Sequence, residues 1–171
     1  MGGIDVFSIG DNVVYGCVGV CNICEIITKR VMKQNIKYFV LKPVHDEQST
    51  LFVPVDNELL CSKMRPLLTK AEINDVINDL KNHNDIWIDE ENRRKEEYNN
   101  LLSSGDRLKI LLIIRSILNH KDNLALKGKQ LHLNDKKLIK TAQKIIDSEF
   151  STVLGIKTDE VQNYIFKSQN S

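Results

Sequence analysis

A chain of 171 residues with 42% hydrophobic content can bury the core of one domain or of two small ones, so disorder is not its default state. It holds no run of about 18 apolar residues, and residues 1–7 have the pattern of neither a secretory leader nor an acylation signal, so a cytoplasmic chain without a membrane partner is expected. The formal net charge of +1 discourages a nucleic-acid reading, but between Lys121 and Lys144 seven lysines stand against two acids, which is either a phosphate-neutralising patch or a solvated helix face.

In chain order, residues 7–15 supply an apolar stretch, a Gly10-Asp11 turn and a β-branched strand. Residues 18–31 form a long strand-like run, the polar Lys33-Gln34-Asn35 interrupts it, and residues 36–41 resume it, which predicts a hairpin. Pro43 and the polar tract 45–49 end that hairpin, and residues 50–53 make one more short strand before Pro54. A handful of short strands within about 50 residues cannot bury two faces as a flat sheet, so the economical solution is a small SH3-like or Tudor-like β-barrel. Thr69-Lys70-Ala71-Glu72 fits a capping box, and Ile73, Val76, Ile77 and Leu80 share one helical face, predicting a closing helix laid against the barrel. A polar linker, residues 81–85, follows, so the first domain is expected to span residues 1–82.

Cys21 and Cys24 form a C-x-x-C, a spacing used by zinc and redox pairs. On a strand, residues three apart point to opposite faces, so the two sulfurs could share a metal only where the strand broke; Cys17, Cys21, Cys24 and Cys61 read as buried structural thiols of a reducing cytosol. His45 and His83 have no nucleophile or carboxylate at a dyad spacing, and Gly128-Lys129 lacks the remainder of a phosphate loop. No catalytic residue, metal or cofactor is expected.

The second half, residues 83–171, opens at Trp87, the only tryptophan, set between Ile86 and Ile88. Such a ring at the start of a helical module either anchors the packing of the first helix or probes a partner. Residues 89–102 are charged and helix-favouring with a short seam of Tyr98, Leu101 and Leu102, and residues 103–106 stop that helix and cap the next. Residues 107–119 are apolar most of the way round, which marks the central helix of an all-α bundle. A lysine-rich connection then leads to a helix beginning near Asn134 or Asp135, with Leu138, Ile139, Ala142, Ile145, Ile146 and Phe150 inward and Lys136, Lys137, Lys140 and Lys144 mainly outward. Gly155 reads as its stop, Thr158 as the cap of a last short helix, and residues 167–171 as a frayed end.

The ordered series FSIGDNVVYGCVGV, YFVLKP, LFVPVDN with Met64-Arg65-Pro66, then Trp87, Arg94, Ser104-Gly105-Asp106 and IIRSIL resembles the CarD and CdnL family of bacterial RNA polymerase-binding transcription regulators. The first module is also similar to the polymerase-interacting domain of transcription-repair coupling factor. The resemblance covers essentially the whole chain and implies a non-enzymatic α+β factor of two domains, monomeric when free. The barrel would dock on the RNA polymerase β subunit through Lys29, Arg30, Leu51, Phe52, Val53 and Arg65. The helical domain would contact promoter DNA, largely independently of sequence, with Trp87 as a wedge at the minor groove of the opened junction. Arg93, Arg94, Lys127, Lys129, Lys136, Lys137 and Lys140 would hold the phosphates. Phe52 stands where some members carry an arginine, which makes docking there more apolar, and Asp89, Glu90 and Glu91 crowd the tryptophan. The alternative is a protein-only interaction module in which Trp87 belongs to the core and the lysines are a solvated face.

Overall fold

The computed structural model describes residues 7–167, a mixed α+β chain with one five-stranded antiparallel sheet and six helices. Residues 1–6 and 168–171, which include most of the end expected to fray, lie outside the described residues. Among the described residues no helix is long and apolar enough to cross a membrane. The chain divides into two compact units after Leu67.

The first unit contains β1 (Asn12–Tyr15), β2 (Gly19–Val31), β3 (Gln34–Pro43), β4 (Leu51–Pro54), α1 (Glu58–Cys61) and β5 (Met64–Pro66). Its sheet runs in the order β4-β3-β2-β1-β5, so β4 and β5 end it. Strand alternation collects Val13, Cys21, Ile23, Phe39, Leu41 and Val53 into one core with Val55 and Met64. A bulge between Ile23 and Glu25 shifts that alternation, and beyond it Ile26 packs on the core. The strand thus does break within the C-x-x-C, yet Cys21 is fully buried while the Cys24 thiol turns to the Asn22 carbonyl oxygen at 3.7 Å. All four cysteines are free thiols, but Cys17 is exposed rather than buried as expected, and Cys24 and Cys61 are half-buried.

The β2–β3 turn is Met32-Lys33, earlier than the polar triplet suggested, because Val31 already pairs with Gln34. Both turn residues have positive φ, 48° and 68°, as a two-residue turn that follows the right-handed strand twist requires. Neither is a residue that enters this region easily. The short α1 and β5 had no sequence signal; β5 exists through its pairing with β1, Val14 opposite Arg65.

The second unit contains α2 (Lys70–Leu80), α3 (Glu91–Ser104), α4 (Arg107–Ala125), α5 (Leu133–Leu154), a 3-10 turn (Thr158–Glu160) and α6 (Val161–Lys167). The capping box forms: the Glu72 amide donates to Thr69 Oγ1 at 3.2 Å and the Thr69 amide donates to the Glu72 carboxylate at 2.7 Å. The helix that follows was expected to close the barrel. Instead α2 lies in the second unit and packs on α4 and α5, with Ile73, Ile77 and Leu80 buried, so the domain boundary expected at residue 82 falls at Leu67. Its apolar stripe specified that it would be buried on one side, not on which neighbour.

Helix α4 is the centre of the bundle. Ile110, Leu111, Leu112, Ile113, Ile114 and Ile117 are buried, each contributing about 1.5–3 kcal/mol on leaving water. It continues past Asn119 to Ala125, so part of the expected lysine-rich connection is helical. Gly105, φ 69°, ends α3 in the left-handed region, and Asp106 then caps α4 by accepting the Lys109 amide at 3.2 Å. Helix α5 starts at Leu133 after His132, whose side chain makes no capping bond. Thr158 opens the 3-10 turn rather than capping α6. A buried pair ties α4 to α5: Glu149 accepts two hydrogen bonds of 2.9 Å from Arg107 and one of 2.8 Å from the Leu68 amide.

Candidate nucleic-acid and protein interfaces

In the sheet unit the expected docking residues fall on both faces of the edge. Along β4, Phe52 points outward and is 45% exposed, while Leu51 and Val53 point to the core. Val53, at 1% exposure, is therefore a packing residue and not a contact surface, which corrects its expected role. Tyr38 meets Phe52 edge-on at 6.4 Å, and the Lys29 ammonium sits 3.7 Å from the Phe52 ring centroid. A cation over an exposed ring is worth about 0.5–1 kcal/mol, enough to order Lys29 on the aromatic pair. Arg30 follows it on β2 and is exposed, and Arg65 on β5 is half-buried.

In the helical unit Trp87 lies in the non-helical stretch 84–90 between α2 and α3, and this stretch is fixed along its length. Asp85 accepts from Arg115 Nε and from Asn119 Nδ2, both at 2.7 Å. The Ile86 amide donates to Ser116 Oγ at 2.8 Å, and the Ile86 carbonyl accepts from the Tyr98 hydroxyl at 3.0 Å. Burial pushes the Tyr98 phenol up to about 12, so it remains a donor. Arg115 also donates to the Leu80 and His83 carbonyls at 2.7 and 2.5 Å, fastening the end of α2 to α4.

The indole itself is half-buried. Its ring stacks on His120 of α4 with centroids 3.7 Å apart and planes 14° from parallel, and its N–H donates to Asp89 at 3.1 Å. The Arg94 guanidinium carbon lies 4.1 Å from the same ring. Arg94 was expected to hold phosphate, but it is 2% exposed and its donors are already engaged. Nε and Nη2 each donate to Asp135 at 2.8 Å, and Nη1 donates to the Ile88 carbonyl at 2.6 Å. Burial acts to lower the Arg94 pKa, but the hydrogen bonds and charge of Asp135 outweigh it and hold it above its ordinary value. Its role here is to shape the tryptophan loop from below.

The acids beside the ring are also committed. Asp89 holds the indole N–H, Glu90 accepts the Asn92 and Arg93 amides at 2.9 and 2.6 Å, and Glu91 accepts from Asn134 at 2.8 Å. The two amide bonds hold the Glu90 carboxyl below its usual range.

Arg93, Lys127, Lys129, Lys136, Lys137 and Lys140 are all exposed. Lys127 is close enough to His120 for its charge to act against protonation of that imidazole. Lys137 lines a shallow cleft with Lys95 between α3 and α5. Lys129, Lys136 and Lys140 line a separate groove between α4 and α5. Sequence reading missed His120, Asp135 and Ser116. Asp135 counted as an acid within a lysine-rich run and as a possible helix start, and His120 fell between the helix expected to end at Asn119 and the connection after it, because their partners lie far away in the chain.

These two units coincide with two family matches: residues 7–68 match the CarD-like/TRCF RID domain and residues 75–166 the CarD C-terminal domain. The chain belongs to the CarD-like family, whose members are transcription factors and whose domains interact with RNA polymerase. Among named proteins it is similar to "Putative transcription factor YdeB" of Bacillus subtilis (strain 168). The two are 21% identical over 159 residues, which is 93% of this chain and 99% of that protein.

Proposed function

We propose that this chain docks on the RNA polymerase β subunit through its sheet unit, read as a small SH3/Tudor-like barrel, and stabilises the promoter open complex through its helical unit. The carrying observation is the preorganised Trp87 loop. A half-buried indole held by hydrogen bonds at Asp85, Ile86, Ile88 and Asp89 gives up little conformational freedom on binding. Its free edge would fill the gap where base pairs unstack at the opened minor groove. Arg93 and Lys127 would hold neighbouring phosphates without reading sequence. Docking would use the outward Phe52, Tyr38 and Lys29 together with the β4 edge of the sheet, supported by Arg30 and Arg65. A factor that prefers the open state shifts the closed-to-open equilibrium by that preference and no further.

A second reading, a protein-only module, is favoured by one observation: the stack of Trp87 on His120 is also what a packing tryptophan does. Open-complex lifetime on a ribosomal-type promoter with the purified cognate polymerase separates the two. Added protein lengthens the lifetime under the first reading and leaves it unchanged on every promoter under the second.

A further inference from the structure

The groove between the C-terminal half of α4 and the N-terminal half of α5 has a volume of about 620 Å³, within the range of ligand sites. Leu118, Leu131 and Ile139 give it an apolar floor, and Lys121, Lys129, Lys136 and Lys140 line it, with no acid among the lining residues. Among the described residues none of these four ammonium groups pairs with a carboxylate; Lys136 is held instead by Gln130 Oε1 at 3.2 Å.

The groove also uses a different face of α4 from the one that carries His120. At about 100° per residue, His120 lies some 100–160° around α4 from Leu118, Lys121 and Ala125. The stack that holds Trp87 therefore lies on another side of this helix. The lining does not suit nucleic acid alone. It contains no aromatic ring on which a base could stack, and a phosphodiester backbone would leave the aliphatic floor uncovered.

We propose that this groove docks an acidic peptide segment with regularly spaced aliphatic side chains, supplied by a protein partner. The aliphatic side chains would seat on Leu118, Leu131 and Ile139 as the anchors of an amphipathic helix do, and its carboxylates would meet the four lysines. The lysine ring gives attraction and orientation, and the floor gives the part of the affinity that survives salt. This site is independent of the DNA contact, so either can fail alone.

The test is fluorescence anisotropy with the full chain and a labelled helical peptide bearing Leu at i, i+3, i+4 and i+7 and Glu elsewhere. Saturable binding is expected, weakened at least tenfold when the four Leu are replaced by Ser. The same loss is expected with the Lys136→Glu/Lys140→Glu chain, and a smaller one with the milder Lys136→Gln/Lys140→Gln. Absence of saturable binding would overturn the proposal, as would equal binding of the Ser peptide, which reduces the groove to bare charge. If the charge reversal weakens binding to bubble-containing duplex DNA as much as it weakens peptide binding, the groove is a phosphate surface and the proposal fails.

Discussion

The Arg94 guanidinium meets the Asp135 carboxylate in two parallel hydrogen bonds of 2.8 Å, with both side chains almost wholly buried. Because Arg94 also donates to the Ile88 and Asp89 carbonyls and lies against Trp87, this pair links the packing of α3 on α5 to the position of the tryptophan. Asp135→Asn leaves a buried guanidinium without its counter-charge, and the expected loss is about 3–5 kcal/mol in urea unfolding. Arg94→Lys should lose nearly as much, since an ammonium cannot span the carboxylate and two carbonyls at once.

His120 gives the loop a pH signature. Burial first, and then the charge of Arg94, hold its pKa below the ordinary imidazole value, so the folded protein keeps it neutral against the indole. Its contribution to stability is complete above the unfolded value of about 6.5 and is lost as pH falls through the lower folded value, because the unfolded chain takes up the proton first. A protonated imidazole quenches a stacked indole. Trp87 is the only tryptophan, so emission should fall on acidification with a midpoint below 6.5, and His120→Gln should abolish the step.

Asp147 on α5 behaves in the opposite sense. Burial raises its pKa to about 6, against the hydrogen bond it accepts from Gln162 at 2.5 Å. A raised carboxyl contributes stability that is full below the unfolded value of about 3.9 and is lost as pH rises through about 6. Asp147→Asn should therefore raise the melting temperature at pH 8 and flatten the decline between pH 4 and 7. With partial exposure discounted, the gain at pH 8 should be about 1 kcal/mol.

The strained Met32-Lys33 turn gives a third stability test. Met32 is 95% exposed and packs on nothing that would repay its left-handed backbone. Replacing the pair by Asn-Gly should stabilise the protein by about 1–2 kcal/mol, measured by thermal or denaturant unfolding. A destabilised variant would mean that this turn depends on contacts of the two side chains.

Local chemistry was legible where it acts over one turn or one strand. The Thr69-Glu72 box, the β2–β3 hairpin, the stop at Gly105 and the largely apolar α4 follow from residues that sit next to one another. Placement was not legible. The stripe Ile73, Ile77, Leu80 is equally consistent with a sheet or a helix pair as neighbour, and only the fold chose α4 and α5. Charge was the least transparent property, because sequence shows its sign and not its burial. Arg94 read as a phosphate contact until Asp135, on another helix, proved to be its partner. Val53 was misplaced by strand parity alone.

The Trp87 wedge is tested most sharply by the lifetime of the open complex with the wild-type chain against Trp87→Ala, each confirmed as folded by circular dichroism. The wild type is expected to lengthen the lifetime and the folded variant is not. A folded variant that lengthens it equally would make the indole a packing residue of the α3–α4 junction and contradict the wedge.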